Sequence, residues 1–278
     1  MCGDHGICKY GVSAFPQEVT LQMINGYGRG TAGANVMARH AGAGRIVVDV
    51  GTNFDLHGFS RVRQCKIAWG TEDFTQGPAM SYDQAVAALE TGMRIADEVI
   101  DNGCNLLETG EMGIANTTST AAIAAGFLDL PAELTVGRGS GINDERMKIK
   151  TEVVRRGLKI NKPKPGDGLD VLCKVGGYDH AGLAGMMLAG AARHVPTMID
   201  GVNATAAALI AYGINPRCAE YMLCSHLSSD ISAKKMLEVL KLKPIVHAGM
   251  RLGEGTGASL AISILRSALD TYRELTGD

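Results

Sequence analysis

Cys104-Asn105-Leu106-Leu107-Glu108-Thr109-Gly110-Glu111-Met112-Gly113-Ile114-Ala115-Asn116-Thr117-Thr118 passes from strand to loop to helix in one short stretch. Cys104–Leu107 reads as a short strand, and Gly110–Gly113 is a loop bounded by glycines. Ala115–Phe127 then reads as a helix built from small residues. A short buried strand that feeds a helix through a tight loop is half of a βαβ unit. Such units stack into a parallel sheet with helices on both faces.

The pattern repeats on either side. Pro16–Asn25 and Thr31–Ala41 read as helices, with Pro16 at a tolerated first-turn position. Arg45–Val50 is a β-branched run closed by Gly51 and reads as a buried strand. Ser81–Asp101 is an amphipathic helix with Ala85, Leu89, Met93, Ala96 and Ile100 on one face. Leu134–Val136 reads as a further strand. Asn143–Leu158 reads as a helix, with Asn143 as N-cap and Asp144 and Glu145 in its first turn. Beyond the turn cluster at Lys162–Gly168, helices are expected at Leu169–Val175 and Asp179–Ala192. Strands at Pro196–Ile199 and Tyr221–Cys224 enclose a helix at Val202–Tyr212. A helix at Ile231–Leu240, a short strand at Ile245–Val246 and a helix at Ser259–Tyr272 close the chain. The expected fold is α/β: a parallel, Rossmann-like sheet flanked by helices, in one domain spanning residues 1–278.

Composition narrows the function. The chain has 278 residues, 46% of them hydrophobic, enough for a sizeable core. Its net charge is −2, so no footprint for nucleic acid or an anionic membrane is expected. The apolar stretches Leu183–Ala192 and Ala204–Ile214 are too short to span a bilayer. Seven cysteines, with no CxxC pair, read as reduced thiols of a cytoplasmic protein. Cys2, His5 and Cys8 lie close in sequence, but no second ligand pair follows, so no metal is expected there.

The loops after strands carry the chemistry. In Met250-Arg251-Leu252-Gly253-Glu254-Gly255-Thr256-Gly257 one carboxylate is set among three glycines, just before a helix. Glycine lets a ligand approach the backbone closely; the plainer reading is a helix-capping acid in a turn. Gly110–Thr118 opens a helix whose N-terminal N–H groups suit a phosphate, with Asn116 and Thr117 adding side-chain donors. Gly137-Arg138-Gly139-Ser140-Gly141 lacks dinucleotide-fingerprint spacing, and no Walker A sequence occurs. That argues against a dinucleotide-dependent oxidoreductase and a P-loop ATPase. Lys148, Lys150, Arg155 and Arg156 form either a solvated helix face or a source of one phosphate-binding lysine. Ser225-His226-Leu227-Ser228 offers hydroxyls at a strand end, without the G-x-S-x-G elbow of a hydrolase. His226 reads as a packing or hydrogen-bonding residue. Asp200-Gly201 ends another strand, where the carboxylate either binds ribose hydroxyls or caps the next helix.

Seven segments, in order and over nearly the whole chain, resemble one family. They are Asp4-His5-Gly6, Pro16-Gln17-Glu18-Val19-Thr20, Gly110–Thr118, Val153-Val154-Arg155-Arg156, Lys174-Val175-Gly176-Gly177, Ser225–Ser228 and Met250–Gly257. The family is nicotinate-nucleotide–dimethylbenzimidazole phosphoribosyltransferase, of the cobalamin lower-ligand pathway. The resemblance implies transfer of phosphoribose from nicotinate mononucleotide to 5,6-dimethylbenzimidazole or a related base, by a homodimer without cofactor or metal. It matches Glu254 to the family's catalytic base and Glu111 to its second active-site carboxylate. It implies a phosphate held near Gly113, Asn116, Thr117, Lys150 and Ser228, and a base sandwiched near Phe15, Met23, Met112 and Leu252. Phe15 and Met23 make that pocket more apolar than in some members, leaving benzimidazoles, adenine and phenolic rings open as acceptors. The chain departs from the family in starting almost at Asp4-His5-Gly6 and in ending soon after its last helix. That implies a shortened member whose small helical domain, built from the two chain ends, is largely missing. The alternative is a catalytically impaired paralogue that binds nucleotides or serves as a partner subunit.

Overall fold

The computed structural model describes residues 1–277. β1 (Cys2–Gly3), β2 (Val47–Gly51) and β3 (Val62–Gln64) form one parallel sheet. β4 (Leu107–Glu108), β5 (Thr197–Ile199), β6 (Met222–His226) and β7 (Pro244–Val246) form a second, also parallel. An isolated parallel bridge between Cys2 and Met112 joins them edge to edge. The strands therefore run β3-β2-β1-β4-β5-β6-β7. The chain builds outward in one direction to β3, then returns to the middle and builds outward in the other. In open α/β sheets, ligands bind beyond the strand ends at such a reversal.

The helices are α1 (Glu18–Arg29), α2 (Gly33–His40), α3 (Tyr82–Asp101), α4 (Asn116–Leu128), α5 (Asp144–Asn161), α6 (Gly168–Val175), α7 (Tyr178–Ala192), α8 (Val202–Ile214), α9 (Ile231–Leu240) and α10 (Thr256–Thr276). Alternation along the strands divides them between two faces. Leu107, Ile199 and Met222 belong to the large core beneath α3, α4, α7 and α8. Their neighbours Leu106, Met198 and Leu223 pack instead with Ala41 just after α2 and Ala258, Ala261 and Ile262 of α10. Small residues let the core helices close tightly. A Cβ on Gly92 of α3 would lie 1.9 Å from the carbonyl oxygen of Gly182 in α7. Gly185 meets Leu89 of α3 at the same distance. Alanine at either position would force the two helices apart.

Several expected elements shift by a few residues. Ser81 caps α3, accepting from the Gln84 N–H, and Asn143 caps α5, accepting from the Arg146 N–H. One expectation fails: Leu134–Val136 is no strand. Pro131 precedes a 3₁₀ turn at Ala132–Leu134, and the N–H groups of Leu134, Thr135 and Val136 bond back to Pro131 and Ala132. Those local bonds leave nothing to pair with a sheet.

Candidate active site

The outgoing ends of the central strands converge. Asp4 and His5 follow β1, Thr109–Gly113 follows β4, Asp200-Gly201 follows β5, and Leu227-Ser228 follows β6. The Glu254 loop comes in over them from β7. Its backbone is unusual. Gly253, Glu254 and Gly255 all have positive φ, at 81°, 63° and 86°. A left-handed conformation is costly for glutamate, so something must hold it.

Asp200 does so. Its Oδ2 accepts from the Gly255 N–H at 3.0 Å, and its Oδ1 accepts from Gly257 at 2.8 Å and Ala258 at 3.0 Å. The side chain is buried, with both oxygens committed to the start of α10. The capping expected of Asp200 falls not on the helix that follows it but on α10, far along the chain. Gly201 caps α8 through its extended backbone.

Glu254 is half-buried, facing the loop after β4. A Cβ on Gly110 would lie 3.2 Å from the Glu254 carbonyl oxygen, and one on Gly253 would lie 2.9 Å from Oε1 of Glu111. The two predicted carboxylates thus sit on loops in direct contact. Burial pushes the Glu254 carboxyl above its ordinary value; the nearby Tyr27 hydroxyl offsets part of this, and Asp200 adds to the rise. The Tyr27 hydroxyl makes no hydrogen bond of good geometry. Glu111 retains an opening to solvent, yet its carboxylate is ringed by protein. Burial and Asp179 raise it to about 7, Asn203 and Asn116 pull it down, and the Asn116 amide donates a hydrogen bond to it.

Lys150 is fully buried, unlike Lys148, Arg155 and Arg156 on the same helix, which are exposed. The solvated-face reading holds for those three and fails for Lys150. Its Nζ donates to Thr117 Oγ1 at 2.9 Å and to the Gly137 carbonyl at 3.0 Å. Burial lowers it to about 8, against a small upward pull from Asp230. It gathers the start of α4 and the Gly137–Gly141 loop around one cation. Ser228 is buried nearby, its hydroxyl accepting from the Asp230 N–H; Asp230 in turn lies against Gly137. Gly113 is pressed on the Gly3 carbonyl, where a Cβ would lie 1.9 Å away, so its lack of a side chain is required by packing in any case.

The expected base-binding residues are only partly gathered. Met112 is buried in a small cluster with Ile24 and Tyr27, and Met23 packs at its edge. Leu252 is 63% exposed and lies over Gly33 at the start of α2. Phe15 is 50% exposed. Its loop reaches the other way: the neighbouring Ala14 N–H donates to Ser140 Oγ at 3.4 Å. Sequence reading passed over Tyr27, Asp179, His180 and Asn203. Tyr27 lies inside α1, and Asp179, His180 and Asn203 lie in the first turns of α7 and α8, positions with no local signal of a site. His226 is the buried packing residue expected, hydrogen-bonded to Ser225 Oγ at 2.9 Å. His5 pairs not with Cys2 or Cys8 but with Asp179, at 3.3 Å.

A family model described as Phosphoribosyltransferase matches residues 1–277. The chain belongs to this phosphoribosyltransferase family. It is 48% identical over 275 residues to the nicotinate-nucleotide–dimethylbenzimidazole phosphoribosyltransferase of Chloroflexus aggregans, covering 99% of this chain and 78% of that one. The enzyme of the same name from Desulforamulus reducens is 46% identical, with the same coverage. Among solved structures, CobT from Thermus thermophilus superposes with a TM-score of 0.92 at 40% identity, covering 96% of this chain and 80% of that one. Membership in the phosphoribosyltransferase family, over the whole described chain, agrees with the α/β architecture; nothing in these likenesses supports a partner-subunit role. Among the described residues no helix is long and apolar enough to cross a membrane.

Proposed function

We propose that the chain transfers phosphoribose from nicotinate mononucleotide to 5,6-dimethylbenzimidazole or a related base, giving α-ribazole 5′-phosphate and nicotinate. The observation that carries the reading is the Glu254 loop: a carboxylate in a left-handed turn, fixed by Asp200 and opposed to Glu111.

In this reading the azole nitrogen forms a bond to C1′ as the bond from C1′ to the pyridinium nitrogen breaks. That bonding pair neutralises the pyridinium, so the leaving side needs little acid. The azole proton passes to Glu254, whose raised carboxyl suits a base working near neutrality. Glu111, close by, supplies negative charge beside the oxocarbenium-like C1′. The phosphate takes the start of α4 with Asn116 and Thr117, and Lys150 within reach. Met23, Met112 and Leu252 offer the apolar wall for the flat base, and Phe15 joins it by a swing of its exposed loop away from Ser140. The chain acts as one domain and as a homodimer.

The test is release of nicotinate from nicotinate mononucleotide in the presence of 5,6-dimethylbenzimidazole, adenine or a phenol in turn. Release that depends on an added base and on Glu254 supports the reading. No release with any acceptor from a folded protein ends it.

A further inference from the structure

A chain of hydrogen bonds behind Glu111 orients a buried histidine. Asn203 lies behind Glu111 and presents its Oδ1 to Thr120. That oxygen accepts the Thr120 hydroxyl proton at 2.7 Å. With its own proton spent, Thr120 Oγ1 accepts from His180 Nε2, 2.8 Å away. His180 therefore carries its proton on Nε2. Its Nδ1 is left as a lone pair, buried and without a hydrogen-bond partner. This lone pair stands 3.0 Å from Oδ1 of Asp179. Oδ1 accepts the His180 backbone N–H at 2.9 Å, and a cation beside it would take up the unused Nδ1 lone pair.

His5 completes the arrangement from the other side. Its Nδ1 meets Ser119 Oγ at 2.9 Å, and its Nε2 is 3.3 Å from Asp179. The three donor atoms lie within 4.8 Å of one another, and all three residues are buried. Neighbouring ligands around a tetrahedral zinc with bonds of 2.0–2.1 Å stand about 3.3 Å apart. The two contacts to Asp179, 3.3 and 3.0 Å, are close to that spacing. Each imidazole is oriented through its outer nitrogen by a hydroxyl of α4, the usual support of a metal-bound histidine. Gly177 leaves the room: a Cβ there would strike His5 at 2.3 Å and Asp179 at 2.5 Å.

We propose that His5 Nε2, Asp179 and His180 Nδ1 bind one divalent cation of the zinc class. Two imidazoles and one carboxylate suit zinc over magnesium or calcium, with water in the fourth position. The ion ties the chain leaving β1 to the first turn of α7 and to α4, just behind the Glu111 carboxylate.

The test does not depend on activity. Chelator-stripped full-length protein is mixed with Zn2+, passed through gel filtration and assayed for metal. Binding of Co2+ is followed by its tetrahedral ligand-field absorption, and the melting temperature is read with and without Zn2+. The expected result is about one zinc per chain with a raised melting temperature. His180→Leu abolishes retention, and His194→Ala, at an exposed histidine, does not. Thr120→Val keeps all three ligands but frees the His180 tautomer, and weakens binding about 10- to 100-fold; it decides the matter if His180→Leu does not fold. Folded wild-type protein that retains no zinc and shows no thermal response overturns the proposal. So does equal retention by the Thr120 and His180 variants.

Discussion

Glu254 and Lys150 are the residues where the chemistry is most exposed to test. Glu254→Gln keeps the shape of the side chain but cannot take the azole proton. Turnover is expected to fall about 10²–10⁴-fold, with nicotinate mononucleotide binding retained by calorimetry; a variant turning over at the wild-type rate removes Glu254 from the role. Because burial raises the Glu254 carboxyl, the active, ionised fraction grows with pH. The ascending limb of the pH–rate profile should lie above the ordinary carboxylate value of 4.5. Lys150 has the opposite sign. Its ammonium falls from 10.5 to about 8 on folding, and each tenfold change in protonation is worth about 1.4 kcal/mol. Below pH 8 the buried charge therefore costs the free protein about 3 kcal/mol. The cost fades as pH rises from 8 toward 10.5, since the unfolded chain there binds the extra proton. Lys150→Met is expected to melt higher than wild type at pH 7 while raising KM for nicotinate mononucleotide about 10- to 150-fold, the worth of a charge-assisted hydrogen bond. A variant that melts lower with unchanged KM would show the lysine to be structural.

At the scale of elements, the decisive unit is the segment from Asp200 to the start of α10. Asp200→Asn removes the charge that draws in three backbone N–H groups and leaves one oxygen for them. The Glu254 turn then loses its restraint, and kcat should fall about 10- to 100-fold, for a loss of roughly 1.5–3 kcal/mol. KM for the nucleotide should move little, as Asp200 reaches the substrate only through Glu254. A rise in KM with unchanged kcat would return Asp200 to ribose binding. The elements themselves were legible wherever periodicity ran long. The capped helices α3 and α5 announce themselves through Ser81 and Asn143, and Ile231–Leu240 is helical over its expected range. The failures are all short. β1 pairs through two residues with a register irregularity, and β3 is a three-residue edge with two exposed positions. Neither is long enough to show alternation. The site followed the same rule. Glycine-flanked acids such as Glu254 and Glu111 stand out in sequence, because the backbone they need is written in their neighbours. Asp179, His180 and Asn203 act through contacts across 60 or more residues, which no local pattern records.

The whole molecule leaves one apolar surface unfilled. A cleft of about 1010 Å³ opens between β2 and β4, lined by Ala43–Val48 on one side and by Leu265, Leu269 and Arg273 of α10 on the other. Beyond it the second half of α10 carries Tyr272, 61% exposed, and Leu275, 82% exposed. A helix buried on one side over its first two turns, with Leu269, Tyr272 and Leu275 as an exposed apolar stripe over its last three, is poorly satisfied alone. Two copies related by a twofold axis would cover the same patch on each other, the commonest closed arrangement for identical chains. Light scattering at micromolar concentration is therefore expected to give a homodimer. Tyr272→Asp with Leu275→Asp places two charges in that surface and should shift the protein to monomer with its circular dichroism unchanged. Glu254 lies at the other end of the same helix, held by Asp200 at α10's first turn, so the monomeric variant should also lose turnover if pairing steadies α10. A wild-type protein that scatters as a monomer and works at full rate would break the link between this surface and the site.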